Sequence, residues 1–206
     1  MPGRLLGWLL ALALLFGLAG CDQAKKAAFR GVDISGAPFG QRLALRDHNG
    51  RAVSLDTFRG KLVVLFFGYT HCPDVCPTTL SDIAAAFKLM PEGLPDKVQV
   101  LFVSVDPERD TPEVLKAYVP YFHPSFLGLH GTPEEVAQAA RDFRIVYRKH
   151  VEPGADGYLV DHSAGSYVLD GQGRLRLYLP YGHKPQDIAS DLSALFKMDG
   201  QKVGGA

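Results

Sequence analysis

An excess of charge of either sign is missing from this sequence. Its 206 residues carry 22 Lys plus Arg and 22 Asp plus Glu, for a formal net charge of zero. There is no basic tract and no acidic tail, so nothing in the charge supports nucleic-acid binding. No internal repeat and no second-domain linker is visible, which leaves one domain of ordinary size with a real core. Apolar residues make up 47% and charged residues 21%, an ordinary globular composition. The apolar run near the start, Leu5 to Leu18, has 14 residues, short for a membrane span. Cysteine is scarce: Cys21, Cys72 and Cys76 are all there is.

The start of the chain has the form of an export signal. Arg4 gives a positive beginning, and Leu5 to Leu18 has the length of a signal-peptide core. Leu18-Ala19-Gly20-Cys21 resembles the lipobox of bacterial lipoproteins, in which the peptide is cut before a cysteine that is then lipidated. The expectation is a signal peptide over 1–20, a lipid on Cys21 and a polar, Gly-containing tether over 21–36. The alternative is an uncleaved N-terminal anchor. Either places the domain on the extracytoplasmic (periplasmic) side of a bacterial cytoplasmic membrane, and Asp22 fits retention at the inner membrane.

With Cys21 assigned to lipid, Cys72 and Cys76 are the one pair left. A disulfide closing so small a loop would constrain the unfolded chain little. Redox chemistry or a metal explains the pair better. The surrounding stretch, 62–77, organises the chain. Leu62 to Phe67 is a continuous apolar run, too short for a typical helix and rich in β-branched and aromatic residues, and reads as a strand buried on both faces. Gly68 breaks it. After Pro77, Leu80, Ile83, Ala84, Phe87 and Met90 recur at helical steps. A helix N-terminus offers unpaired N–H groups and a positive dipole end, both of which favour thiolate. Pro77 suits the first helical turn, so Cys72 is expected in a turn and Cys76 at the cap of a helix over 77–90.

Along the rest of the chain, 43–55 reads as a hairpin around Asn49-Gly50, and Val98 to Val105 as a second buried strand. Thr111-Pro112 starts a helix to about Tyr121, closed by Pro120 and Pro124. Thr132-Pro133-Glu134-Glu135 is a capping box opening another helix. Ile145 to Val151 reads as a strand, 153–157 as a turn, and Tyr158 to Val160 as its return. Ser166–Leu169 and Leu175–Leu179 form a hairpin, and Pro185 opens the last helix, with a frayed tail over 199–206. A βαβ half followed by a ββα half predicts an α/β thioredoxin-like fold over 37–198, its central mixed sheet flanked by helices, with an N-terminal β-hairpin extension. Phe66, Phe67, Phe87 and Phe102 are expected in the core.

Two thiols alone suit disulfide exchange; two thiols with an imidazole suit a soft metal such as copper. His71 adjoins Cys72, but neighbours on an extended backbone point to opposite faces. His48 reads as solvated in its turn, His123, His130 and His150 as surface residues near turns, and His183 as a loop residue before the last helix. His162 stands apart. It precedes the second hairpin, in the loop that faces the cysteines of a thioredoxin-like fold, where reductases of that fold carry a cis-proline and this chain has Asp161-His162-Ser163. The residues alone leave open whether it is a ligand. Asp161 is a candidate to orient it, and Asp74 to tune the thiols. Asp106, Arg109 and Asp110 are read as solvated loop and capping residues, with an ion-pair or partner site as the alternative.

Gly68-Tyr69-Thr70-His71-Cys72-Pro73-Asp74-Val75-Cys76-Pro77 resembles the signature of the Sco/SenC family, Ser104 to Pro112 its second block and Val160-Asp161-His162-Ser163 its third. The resemblance spans roughly 36–198. It implies a membrane-tethered, thioredoxin-like copper protein that assists assembly of the binuclear copper site of cytochrome c oxidase. It implies copper, as Cu(I), Cu(II) or both, on Cys72, Cys76 and His162. The implied partners are the oxidase's copper-binding subunit and either a copper donor or a thiol reductant. Metallochaperone is the reading preferred here. The alternative is a thiol–disulfide reductase, with Cys72 and Cys76 as its catalytic dithiol, that keeps the subunit's cysteines reduced.

Overall fold

The computed structural model describes residues 29–151 and 157–203, with side chains to 200. The expected signal peptide, Cys21, most of the turn at 153–157 and the last three residues lie outside the described residues. Ten strands and four α-helices are present among the described residues: β1 Val32–Asp33, β2 Ala44–Asp47, β3 Ala52–Ser54, β4 Leu62–Gly68, α1 Val75–Phe87, β5 Val98–Ser104, α2 Pro112–Phe122, β6 Leu127–His130, α3 Pro133–Asp142, β7 Tyr147–His150, β8 Leu159–His162, β9 Ser166–Leu169, β10 Leu175–Leu179 and α4 Pro185–Val203. Eight strands form one mixed sheet in the order β1-β10-β9-β4-β5-β6-β2-β3. β7 and β8 pair only with each other, as a separate ribbon.

β4 and β5 sit at the centre because their sequences can be buried on both faces. All seven residues of each are buried, and they pair in parallel from Leu62↔Val98 to Gly68↔Ser104. β6 extends the parallel set beside β5, while β9 closes on β4 antiparallel. A fully buried Val, Leu or Phe contributes about 1.5–3 kcal/mol, so Val64, Leu65, Phe66 and Phe67, each 0% exposed, make β4 the most firmly seated part of the site. Phe87 and Phe102 are buried as expected. The hairpin extension is present as β2–β3, docked through β2 onto β6.

Several boundaries differ from the sequence reading. Val32 and Asp33, inside the stretch read as tether, pair with Leu177 and Tyr178 of β10, and the Asp191 carboxylate accepts from the Arg30 and Gly31 amides at 2.8 and 2.7 Å. The folded part therefore begins before residue 37. The sequence reading assigns no element between Pro124 and Thr132, where the four residues of β6 lie, with Gly128 second among them. Its glycine has a packing cause, since a Cβ there would meet Leu115 Cβ of α2 at 3.0 Å. Pro120 lies inside α2 instead of closing it. Only two helical residues follow, so the lost hydrogen bond is confined to the final turn. α1 starts at Val75 and ends at Phe87, two and three residues earlier than the ends of the 77–90 reading. α4 continues to Val203, into the stretch expected to fray from 199.

Candidate metal centre

The thiols stand where β4 hands over to α1. β4 ends at Gly68, and the chain turns through Tyr69 to Asp74, the Cys72 amide donating to the Tyr69 carbonyl at 3.3 Å. Asp74 is the residue before the helix, but its side chain does not cap it. Cys72 takes that place: its sulfur accepts from the Cys76 amide at 3.4 Å. Cys76, expected at the cap, is instead the second residue of α1 and fully buried, while Cys72 is half-buried. Gly68 makes room for it. A Cβ at 68 would lie 2.7 Å from Cys76 Sγ and 2.8 Å from the Phe102 ring.

The two thiols are unbridged and divide their protons unequally. Cys72 is held well below the usual thiol range by the Cys76 thiol donating to it, aided by the backbone N–H groups of Asp74 and Cys76. Cys76 is pushed up because it keeps its proton toward Cys72 and because it is buried. Thiolate is the form in which a cysteine attacks a disulfide or binds a metal. Asp110, 1% exposed, anchors the loop from beneath: it accepts from Thr70 Oγ1 and Ser104 Oγ, both at 2.6 Å, and from the Thr70 amide at 3.0 Å.

β8 delivers the imidazole. His162 Nε2 lies 3.3 Å from Cys76 Sγ, and the three ligand atoms of Cys72, Cys76 and His162 are all within 4.8 Å of one another. His162 Nδ1 faces the Ser163 carbonyl at 3.0 Å. A carbonyl only accepts, so Nδ1 carries the proton and Nε2 turns its lone pair to the sulfurs. The rings of Phe66 and Tyr69 meet His162 edge-on at 6.0 and 5.9 Å. Two thiolates and a neutral imidazole are a soft donor set. A three-coordinate ion with bonds of about 2.0–2.3 Å wants donors spaced near this. The residues present fit copper.

Other expectations change. Asp161 does not orient His162; neighbours on a strand face opposite ways, and its carboxylate points to solvent beside His150 Nδ1 at 3.2 Å. Asp74 is exposed and lies 3.4 Å from the Thr78 hydroxyl; its backbone, not its carboxylate, reaches Cys72. His71 is exposed and turned toward Thr70 and Asp110, 3.1 Å from Thr70 Oγ1. His48 is not solvated: it is buried, with Nδ1 accepting from the Gly128 amide at 3.1 Å. His123 packs against Phe87 and Phe126, and His183 lies 3.3 Å from buried Asp191. The reading of Asp106, Arg109 and Asp110 as solvated loop is overturned. Asp106 is 0% exposed and pairs with Arg109 at 2.5 Å, while Thr111 caps α2. Tyr69, quoted in the first motif but given no role, and Tyr158 both lie against this cluster; nothing in the sequence around Tyr158 separates it from an ordinary core aromatic.

No helix among the described residues is long and apolar enough to cross a membrane. The family model described as SCO1/SenC matches residues 32–197. The mitochondrial SCO2 homologue of Bos taurus is 37% identical over 175 residues, 84% of this chain and 64% of that protein, so the chain spans less than two thirds of it. The structure of Bradyrhizobium japonicum ScoI with copper bound is 40% identical and covers 76% of this chain and 99% of its own, with a TM-score of 0.69. A SCO1/SenC family lipoprotein from Bacillus anthracis is 25% identical, covers 82% and 99%, and has a TM-score of 0.65. With a thioredoxin-like fold, a dithiol at a helix mouth and a family model matched over most of its length, the chain belongs to the SCO1/SenC family.

Proposed function

We propose that this protein binds copper through Cys72, Cys76 and His162 and delivers it during assembly of the binuclear copper site of cytochrome c oxidase. The observation that carries the reading is the His162 imidazole, its Nε2 lone pair turned to the dithiol at 3.3 Å from Cys76 Sγ. A reductase has no need of an imidazole there; a thiolate, a leaving thiol and access suffice. The copper-bound relative from Bradyrhizobium supports the same assignment. Half-buried Cys72 is the side from which copper enters and leaves, and buried Cys76 with His162 forms the floor. The partner is the copper-binding subunit of the oxidase, with a copper donor or thiol reductant acting upstream. Cys21, lipidated after removal of residues 1–20, tethers the domain outside the cytoplasmic membrane, in keeping with the lipoprotein relative.

One observation favours a second reading. Cys72 is held as thiolate beside a protonated Cys76 thiol, the asymmetry that disulfide exchange uses, so a reductase role toward the subunit's cysteines shares these residues. The experiment is to titrate copper into reduced wild type and His162→Ala, and to follow the oxidase copper site in cells carrying each. Copper delivery predicts that His162→Ala binds copper weakly and fails in assembly although its thiols still cycle. Normal assembly with weak copper binding would make the protein a thiol reductase.

A further inference from the structure

His162 rides on the β7–β8 ribbon, which shares no ladder with the eight-stranded sheet. Something else must hold that ribbon over the cysteines. Arg109, on the loop after β5, reaches across. Its Nε donates to Asp106 Oδ2 at 2.5 Å and its Nη1 to the Tyr158 carbonyl at 2.9 Å. The guanidinium lies 3.7 Å from the centre of the Tyr158 ring and 5.7 Å from that of Tyr69. The Tyr158 hydroxyl donates to Asp106 Oδ1 at 2.7 Å. Lys149 of β7 closes the other side, 4.7 Å from the same ring and 2.6 Å from Glu108. Both aromatic partners lead to the metal centre: Tyr158 immediately precedes β8, which ends at His162, and the Tyr69 ring meets the His162 ring edge-on.

We propose that Arg109 is the positioning residue that holds His162 over the dithiol, and that it thereby keeps the centre competent for Cu(II) as well as Cu(I). The inference rests on the copper reading of the site. Cu(I) is held by two thiolates alone, whereas Cu(II) favours further nitrogen or oxygen donors in a tetragonal set. Loosening the imidazole therefore weakens Cu(II) binding more than Cu(I) binding. Arginine suits the place because its planar fork donates in two directions while it stacks on a ring; lysine can replace its charge but not both bonds.

The test uses the full, reduced protein as wild type, Arg109→Ala and Arg109→Lys. Amide hydrogen exchange is measured on the metal-free forms, and Cu(I) and Cu(II) affinities by chelator competition. Arg109→Ala leaves buried Asp106 without its nearest cation and risks misfolding; Arg109→Lys retains the charge and keeps the test available. Exchange at Leu159 to His162 should quicken at least about tenfold while that of β4 stays unchanged. Cu(II) affinity should fall about 10–100-fold, the usual cost of losing a group that orients a ligand, and Cu(I) affinity less. Arg109→Lys should fall between wild type and Arg109→Ala. Wild-type exchange and Cu(II) affinity in the folded variants, or equal losses of both copper forms, would overturn the inference. If wild type binds neither copper form, the copper reading itself fails, and the exchange comparison alone decides whether Arg109 holds the ribbon.

Discussion

The two halves of the metal centre are built in opposite ways. The dithiol stands at the junction of β4 and α1, beside the most deeply buried strands of the domain, and Cys76 is itself core. His162 stands on a two-stranded ribbon outside the main sheet, held to the domain by an arginine, two tyrosines and a buried carboxylate. The core half is fixed by apolar burial, which is non-directional and tolerant of small changes in chemistry. The ribbon half depends on a few charge-assisted bonds, each of which fails outright when one partner is removed. The two halves therefore answer to different substitutions, the dithiol to changes in packing and the imidazole to the loss of a single polar partner.

The largest effect should come from the core half. Cys72→Ser or Cys76→Ser should abolish copper binding, and so should oxidation to the disulfide, because a disulfide sulfur has lost its thiolate charge. Titrating copper into the oxidised and reduced proteins checks this; equal uptake by both would move the site elsewhere. The next effect belongs to the ribbon half. His162→Ala should weaken copper binding by at least about 10–100-fold, with the melting temperature and the dithiol's reduction and oxidation unchanged. Gly68→Ala then asks whether the core half is as rigid as its burial implies. The added Cβ meets Cys76 Sγ and Phe102 at under 3 Å, so thermal unfolding should show a loss of about 1–3 kcal/mol. No loss would mean that Cys76 can shift freely.

A pH experiment distinguishes the two thiols within the core half. In reduced, metal-free protein, iodoacetamide should alkylate Cys72 at pH values below the ordinary thiol range and leave Cys76 unmodified. The stability signs follow. Cys72 has a folded pKa below its unfolded one, so its contribution is present above the unfolded value and lost as pH falls through the folded one. Cys76 is raised, so its contribution is present below the unfolded value and lost as pH rises through the folded one. The smallest effect should come from Asp161→Asn. Because Asp161 faces His150 and solvent, copper affinity should change less than about twofold. A tenfold loss would mean that it does reach His162.

The core half was legible in the sequence and the ribbon half only partly so. An unbroken apolar run, a glycine, two cysteines and a helical repeat each have a local physical meaning, and together they placed Cys72 in the turn and Cys76 within two residues of its place on α1. What they could not show was that Cys72, and not Asp74 or Cys76, meets the helix's free N–H groups. That depends on the path of the turn. The ribbon's support was misread because charge in a loop ordinarily means solvation. Asp106 is buried through partners such as Tyr158 and Lys149, far along the chain, and no local pattern announces them. The same limit hid the burial of His48, whose acceptor role depends on Gly128 of β6, a strand too short and too broken to be seen.

The central claim is that copper sits on both halves at once, and the coordination shell of the bound ion tests it most directly. X-ray absorption at the copper edge, on reduced protein loaded with one equivalent, should show two sulfur neighbours and one nitrogen of imidazole type. In His162→Ala the imidazole signal should vanish and the sulfurs remain. An unchanged imidazole signal in that variant, or a wild-type shell without two sulfurs, would contradict the assignment.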